Sequence, residues 1–281
     1  MIHFQTNTGA MTALQMLGGT NQSLQTTHNQ ISTGQTVNGP QDNAALWAIS
    51  ELMNSDLSGY SGLSDALSLG EATLGVASAG AEFVTDTLNE MKQIAILGSS
   101  GVVDFSKVEA QLAQKTDQIN SVISSSQFNG ANLLRTDVDG NGASAITVAA
   151  SLDKTGGGTP TLSNIQVDSL DLESSPNFDI NGRTAVTDAA SARTALDEIE
   201  GFLQFAVDGA ASLGAAASRI SEQQDVIARQ ALETKKGLSG LIDTNIEESA
   251  AKLKALEVQQ QLGLTSLSIA NSAPTTLLAL Y

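Results

Sequence analysis

The sequence predicts a mainly α-helical protein: long antiparallel helical rods packed as a coiled-coil bundle, with a small β-containing insert. Three observations carry this. Apolar residues recur at alternating spacings of three and four over stretches much longer than a globular helix. All 13 basic and 30 acidic side chains lie between Asp42 and Glu257, so that both ends are uncharged yet still patterned. Between residues 135 and 187 Gly, Asp, Pro and Ser rise and the helical spacing stops.

In helix 1, residues 1–41, Ala10, Leu17, Leu24 and Ile31 read as one heptad row and Leu14, Asn21 and His28 as its partner. Polar residues in such a row lower stability and fix register. The helix is expected to stop near Gly34, before an Asn38-Gly39-Pro40 turn. Asp42 or Asn43 then caps a second helix. Its row runs Ile49, Leu52, Asp56, Tyr60, Leu63, Leu67, Gly70, Leu74, Ala77, Ala81, Val84, Leu88 and Met91. Roughly 55 residues at 1.5 Å each would make a rod of about 80 Å. Asp56 is an odd member of this row and implies either a cationic partner or a stutter.

After Gly98-Ser99-Ser100-Gly101, Ser106 to Glu109 reads as a capping box for a third helix with the stripe Phe105, Val108, Leu112, Ile119 and Val122. This first bundle part spans 42–134. The insert, 135–187, holds Gly156-Gly157-Gly158, Pro160 and Pro176, with strands expected at 145–149, 165–172 and 178–180. Helix resumes near Asp188, and Leu196, Ile199, Leu203, Ala206, Leu213, Ile220, Ile227, Ala231 and Leu238 mark the second bundle part, 188–240, with Leu241 continuing the row. The closing helix, 241–281, carries Leu253, Leu256, Leu267 and Ile269 and is expected to end at Pro274.

Composition excludes several functions. Without Cys there are no disulfides, thiol nucleophiles or thiolate metal sites. A net charge of −17 opposes nucleic-acid binding. Gln, Thr, Asn, Ser and Gly interrupt both ends, so neither reads as a membrane span, and a leader is not expected where the first 41 residues hold no Lys or Arg. No catalytic, cofactor or metal residues are nominated. His3 and His28 are the only histidines, and Gly18-Gly19 is not followed by the Lys-Ser/Thr of a phosphate loop. Asp137-Val138-Asp139-Gly140-Asn141-Gly142 fits the first half of a calcium loop, yet its twelfth position is Val148 instead of Glu. A pair of turns is the better reading.

Residues Ile31 to Ala45 (ISTGQTVNGPQDNAA) resemble the L-S-S-G-x-x-I-N-x-x-x-D-D-A-A signature of bacterial flagellin. Leu88 to Leu97, Phe128-Asn129-Gly130, Leu213 to Ile220 and Leu262 to Tyr281 resemble its later signatures, in order. The resemblance covers roughly 1–135 and 188–281. It implies a structural subunit exported through the flagellar type III apparatus and polymerised under a cap into an extracellular filament. Its partners would be copies of itself, an export chaperone, and the cap and hook-associated proteins. The ends would pair as an inner tube through Leu14, Leu17, Asn21, Leu24, His28, Ile31, Leu253, Leu256, Leu267 and Ile269. A surrounding bundle would use Ile49, Leu52, Leu63, Leu67, Leu74, Val84, Leu88, Met91, Leu112, Ile119, Leu213, Ile220 and Ile227, with the insert facing outward. A hook–filament junction protein, similar at both ends, is the nearest rival. An enzyme carried by the insert is the remote one.

Asn43 departs from the second Asp of the signature but keeps capping ability. Glu90, in Leu88-Asn89-Glu90-Met91-Lys92-Gln93-Ile94, stands where many enteric flagellins have Arg. Animal innate sensors read that helix, and a carboxylate there turns attraction into repulsion. Weak recognition is expected; a cell-reporter dose response equal to that of an enteric flagellin refutes it.

Overall fold

The protein is described from a computed structural model covering residues 7–154 and 161–278. Five helices and one hairpin follow in order: α1 (Thr8–Thr33), α2 (Pro40–Ser99), α3 (Phe105–Ser125), β1 (Ala145–Asp153), β2 (Thr161–Asp168), α4 (Ala189–Ile242) and α5 (Ile246–Leu278). Two compact units result, one of residues 1–57 with 232–281 and one of residues 58–231.

Local chemistry accounts for the helix ends. The Asn7 side chain accepts from the Ala10 N–H at 3.0 Å, and Gly34, at φ 73°, donates its N–H to the Gln30 carbonyl to close α1. In α2 the backbone leaves helical geometry at Asn43, whose Oδ1 takes the N–H groups of Ala45 and Leu46, each at 3.1 Å. Asn43 is thus the working cap, while Asp42 accepts from the Asn38 N–H at 2.9 Å and closes the preceding turn.

The expected capping box of α3 is displaced: Asp104 is the cap, accepting from the Ser106 N–H at 3.1 Å. Glu109 is drawn instead to Arg183, with two oxygen–nitrogen contacts of 2.7 and 3.2 Å, and accepts the Val186 N–H at 2.7 Å. A fork-shaped cation competes better for the carboxylate than a neutral backbone amide. Asp188 caps α4, accepting from the Ser191 and Ala190 N–H groups at 2.7 and 2.9 Å. The Ser191 backbone bond chiefly holds the Asp188 carboxyl below its ordinary range.

In the second unit the α2 row from Leu63 to Met91 is buried as expected, together with Leu112 and Ile119 of α3 and Leu213, Ile220 and Ile227 of α4. Helices α3 and α4 both run antiparallel to α2. Lys115 of α3 pairs with Glu90, and Lys92 pairs with Glu200 of α4 at 2.8 Å. The insert packs on this core through Val148, Ile165 and Val167 of the antiparallel hairpin, in which Val148 faces Ile165 and Ile146 faces Val167.

Two expectations about the insert and one about α5 need correction. Residues 178–180 are irregular backbone, not a strand: Phe178 is buried against Phe202 and Phe205, with ring centroids 5.4 and 6.2 Å away, and Ile180 is buried too. Burial of both residues mimics a strand pattern without pairing. Strand β2 ends at Asp168, after which Leu170 and Leu172 donate N–H groups to the carbonyls of Leu133 and Leu134. Helix α5 does not stop at Pro274 but continues to Leu278, since proline forfeits only its own N–H bond within the turn it strains. Gly156-Gly157-Gly158, Pro160 and His3 lie outside the described residues.

Two glycines of α2 give a paired test. A Cβ at Gly80 would lie 2.7 Å from Leu134 Cδ1 and 3.1 Å from Ser126 Cβ, whereas one at Gly75 would meet nothing within 4 Å. Overpacking costs about 1–3 kcal/mol, against a helix-propensity gain of about 1 kcal/mol. Gly75→Ala should therefore raise the melting temperature and Gly80→Ala lower it, by calorimetry.

Candidate functional site

The uncharged helix α1 lies antiparallel to α5 in the first unit. Asn7 Nδ2 donates to the Ala270 carbonyl at 2.8 Å, and Gln260 Nε2 donates to Asn21 Oδ1 at 2.7 Å. The seam of α1 is Ala10, Ala13, Leu17, Thr20, Leu24, Thr27 and Ile31, all buried or half-buried. That of α5 is Ser249, Leu253, Leu256, Gln260, Gly263, Leu267 and Ala270. Both alternate three and four residues, and both are rich in small side chains. At Gly263 an added Cβ would stand 3.3 Å from Leu17 Cδ1, so the helices approach closely there.

Ala10, Leu17, Leu24 and Ile31 thus lie in the α1/α5 seam, and the second row of the seam is displaced by one residue from the Leu14, Asn21 and His28 row. Leu14, Asn21 and His28 are exposed; Ala13, Thr20 and Thr27 take their place. Small side chains let the helices come near, and threonine hydroxyls can turn back to their own helix, as the exposed Thr12 does toward the Thr8 carbonyl at 2.9 Å. Ile269 of α5 is likewise exposed, at 70%. A similar shift occurs at the start of α2, where Ile49 and Leu52 are exposed at 46% and 65%. There Ser50 is buried and the half-buried Met53 sets its methyl beside Gly237 of α4, which would leave a Cβ only 3.1 Å away. Asp56 is half-buried.

A backbone clamp closes the pair at one end. Gln35 bridges to Asp243, Thr36 donates its N–H to the Ile242 carbonyl at 2.6 Å, and Thr244 donates to the Gly34 carbonyl at 2.9 Å. Val37 and Ile242 are buried beside it. The clamp uses backbone atoms, which spacing patterns do not reveal. The small seam residues were detectable only by weighing Ala and Thr equally with Leu.

Outside the seam, α1 and α5 expose uncharged apolar side chains on more than one side. Met11, Leu14, Met16, Val258, Leu262, Leu264 and Ile269 are all exposed. Part of this surface is a groove of about 600 Å³, in which Met16, Leu17 and Thr20 face Leu256, Leu262 and Gly263. An apolar surface of this kind marks an interaction site.

The polar segment 137–143 is committed to its own backbone. Asp137 Oδ1 accepts from Gly140 and Gly142 at 2.9 Å each, and Asp139 Oδ1 from Asn141 and Ala143 at 2.9 and 3.3 Å. The calcium-like segment is thus a pair of turns whose carboxylates serve the backbone. The Asn141 N–H is the main reason that the Asp139 carboxyl sits below its usual range. Among the described residues, no three His, Cys, Asp or Glu side chains gather as a metal site. No described helix is long and apolar enough to cross a membrane.

Paired terminal helices with exposed uncharged apolar side chains, and a helical core built on one heptad row, define a structural coiled-coil protein. The family model described as the bacterial flagellin N-terminal helical region matches residues 4–138, and that of the C-terminal helical region matches residues 196–281. A flagellin of Brucella melitensis is 34% identical, over 100% of this chain and 99% of the relative. Flagellin C of Rhizobium meliloti is 32% identical over 100% and 99%, and flagellin FljK of Caulobacter vibrioides 30% identical over 98% and 97%. The chain belongs to the bacterial flagellin family and is a filament subunit. Flagellins that match from end to end fit this better than a junction protein does.

The seam assignment is testable in the monomer. Leu256→Ala removes a buried side chain and should destabilise the α1/α5 pair by about 2–5 kcal/mol, whereas Leu14→Ala should stay within about 0.5 kcal/mol. Hydrogen exchange of the α1 amides reads the difference.

Proposed function

We propose that the α1/α5 pair (residues 1–41 and 241–281) forms the inner wall of the filament by packing against the same pair in neighbouring copies. The exposed apolar face carries this reading. Leu17, Leu24, Ile31, Leu253, Leu256 and Leu267 hold the pair together, with Asn21 bonded to Gln260 across it, while Leu14, His28 and Ile269, with Met16 and Leu262, are left to meet other subunits. Burying one such Leu or Ile contributes about 1.5–3 kcal/mol, so a few per subunit suffice for cooperative growth. The segments 42–134 and 188–240 form the next shell, and 135–187 faces outward.

The chain reaches its place outside the cell through the flagellar type III apparatus, guided by an export chaperone and added beneath the cap beyond the hook-associated proteins. The lack of Cys suits passage as an unfolded chain, since no disulfide can trap a folded state. Segments only weakly apolar order fully once a partner supplies the remaining contacts.

Deleting residues 1–41 or 258–281 should abolish polymerisation of purified monomer seeded with filament fragments, judged by electron microscopy. A double variant, Leu14→Ser with Ile269→Ser, should keep monomer helicity by circular dichroism and lose polymerisation. Normal filaments from either truncation would overturn the reading.

A further inference from the structure

We propose that Met16 is a site of reversible oxidation by hydroperoxides, and that its oxidation state decides whether the subunit can assemble. The proposal rests on the reading of the α1/α5 face as the contact between copies. It begins with the unequal placement of the methionines. Met11 and Met16 are exposed at 63% and 69%, Met53 is half-buried against Gly237, and Met91 is at 0% within the core. Thioether oxidation follows access to the sulfur, so Met91 is protected and the two α1 residues are open.

Of these two, only Met16 borders the groove. Five residues separate them, which places Met11 about 140° around the helix. The groove beside Met16 is uncharged: Leu17, Leu256, Leu262 and Gly263 line it together with Ser23 and Gln259. Methionine suits such a surface because its flexible, polarizable thioether fills irregular gaps.

The chemistry needs only a hydroperoxide. A sulfur lone pair attacks one peroxide oxygen and an S–O bond forms as the O–O bond breaks. Sulfur loses two electrons, and the leaving oxygen is reduced and protonated, giving water when the oxidant is hydrogen peroxide. The product sulfoxide is polar and chiral. Set into the contact between copies, the sulfoxide adds an oxygen and a hydration shell that the thioether lacks, and it opposes close packing by a neighbouring subunit. Sulfoxide reductases reverse the change, removing the oxygen as water while a dithiol is oxidised to a disulfide.

The test uses full-length monomer treated with hydrogen peroxide, peptide mapping by mass spectrometry, and seeded polymerisation. Met11 and Met16 should become sulfoxides while Met91 does not, and polymerisation should be lost. Treatment with the two sulfoxide reductases should restore it. Met16→Leu, a near-isosteric change, should polymerise after peroxide, whereas Met11→Leu should remain as sensitive as the parent. Equal sensitivity of Met16→Leu and the parent overturns the inference, as does normal assembly of protein oxidised at Met16. If Met16→Leu fails to assemble untreated, recovery of the oxidised parent under the reductases, tracked against loss of the Met16 sulfoxide alone, decides the question. Preformed filaments separate this inference from the one beneath it. Oxidation of Met16 in filaments at the monomer rate means the groove is uncovered there, and the contact reading fails independently of any switch.

Discussion

The second unit depends on one row of side chains, Leu63 to Met91 of α2, and on the glycines set beside or within it. Every other element of that unit finds its place by approaching this row. At Gly59 the neighbour is Leu152 and at Gly70 it is Val148, both from the hairpin. At Gly80 it is Ser126 and Leu134, from the segment after α3, and at Gly98 it is Val108 of α3 and Ala192 of α4. A glycine in a helix interior costs about 1 kcal/mol of propensity. Here that cost is offset because each missing Cβ admits a partner into contact with the core. The leucines supply the burial, and the glycines fix where each neighbour docks.

The first unit applies the same principle with less apolar surface. Its seam between α1 and α5 is built from Ala, Thr, Ser, Gln and Gly as much as from Leu, and the chain's large side chains there are divided between two faces. Close approach of the backbones replaces bulk as the source of contact. A pair held in this way is weaker than the core of the second unit, and its backbone clamp at Gly34–Thr36 and Ile242–Thr244 keeps the register that small side chains define poorly.

This contrast explains how much was legible in the sequence. From Leu63 onward in α2 the row was read correctly because large apolar residues fall at every turn and no alternative row competes. In α1 two rows compete, one containing Leu14 and the other Ala13, and apolarity alone prefers the leucine. The α1/α5 seam takes the other row, because apolarity does not tell a leucine buried within the chain from one left on its surface. The same bias selected Ile49 and Leu52 over Ser50 and Met53. Elsewhere the misread features were polar or local: Glu109 has a better partner in Arg183 than in a helix end, and Phe178 with Ile180 is buried without pairing. These depend on tertiary neighbours, which a local pattern does not contain. The fold class, the helix order and the cap at Asn43 needed only local chemistry, and the candidate contact face was visible as the absence of charge.

That absence is an electrostatic necessity for a filament subunit of net charge −17. Copies brought together repel one another, and an unpaired charge buried between them would add a desolvation cost of several kcal/mol. Helix α1 carries no charge at all, and α5 carries none after Glu257, while Glu247, Glu248, Lys252, Lys254 and Glu257 cluster at its start. Charge is thereby kept away from the exposed Leu14, Met16, Leu262 and Ile269. Replacing those leucines by charged residues would protect the monomer from aggregation but forbid assembly. Replacing the intervening Gln, Thr and Ser by leucine would make association indiscriminate. Under the proposed packing, uncharged and only partly apolar helices satisfy both demands, because a contact too weak alone suffices when many subunits supply it together.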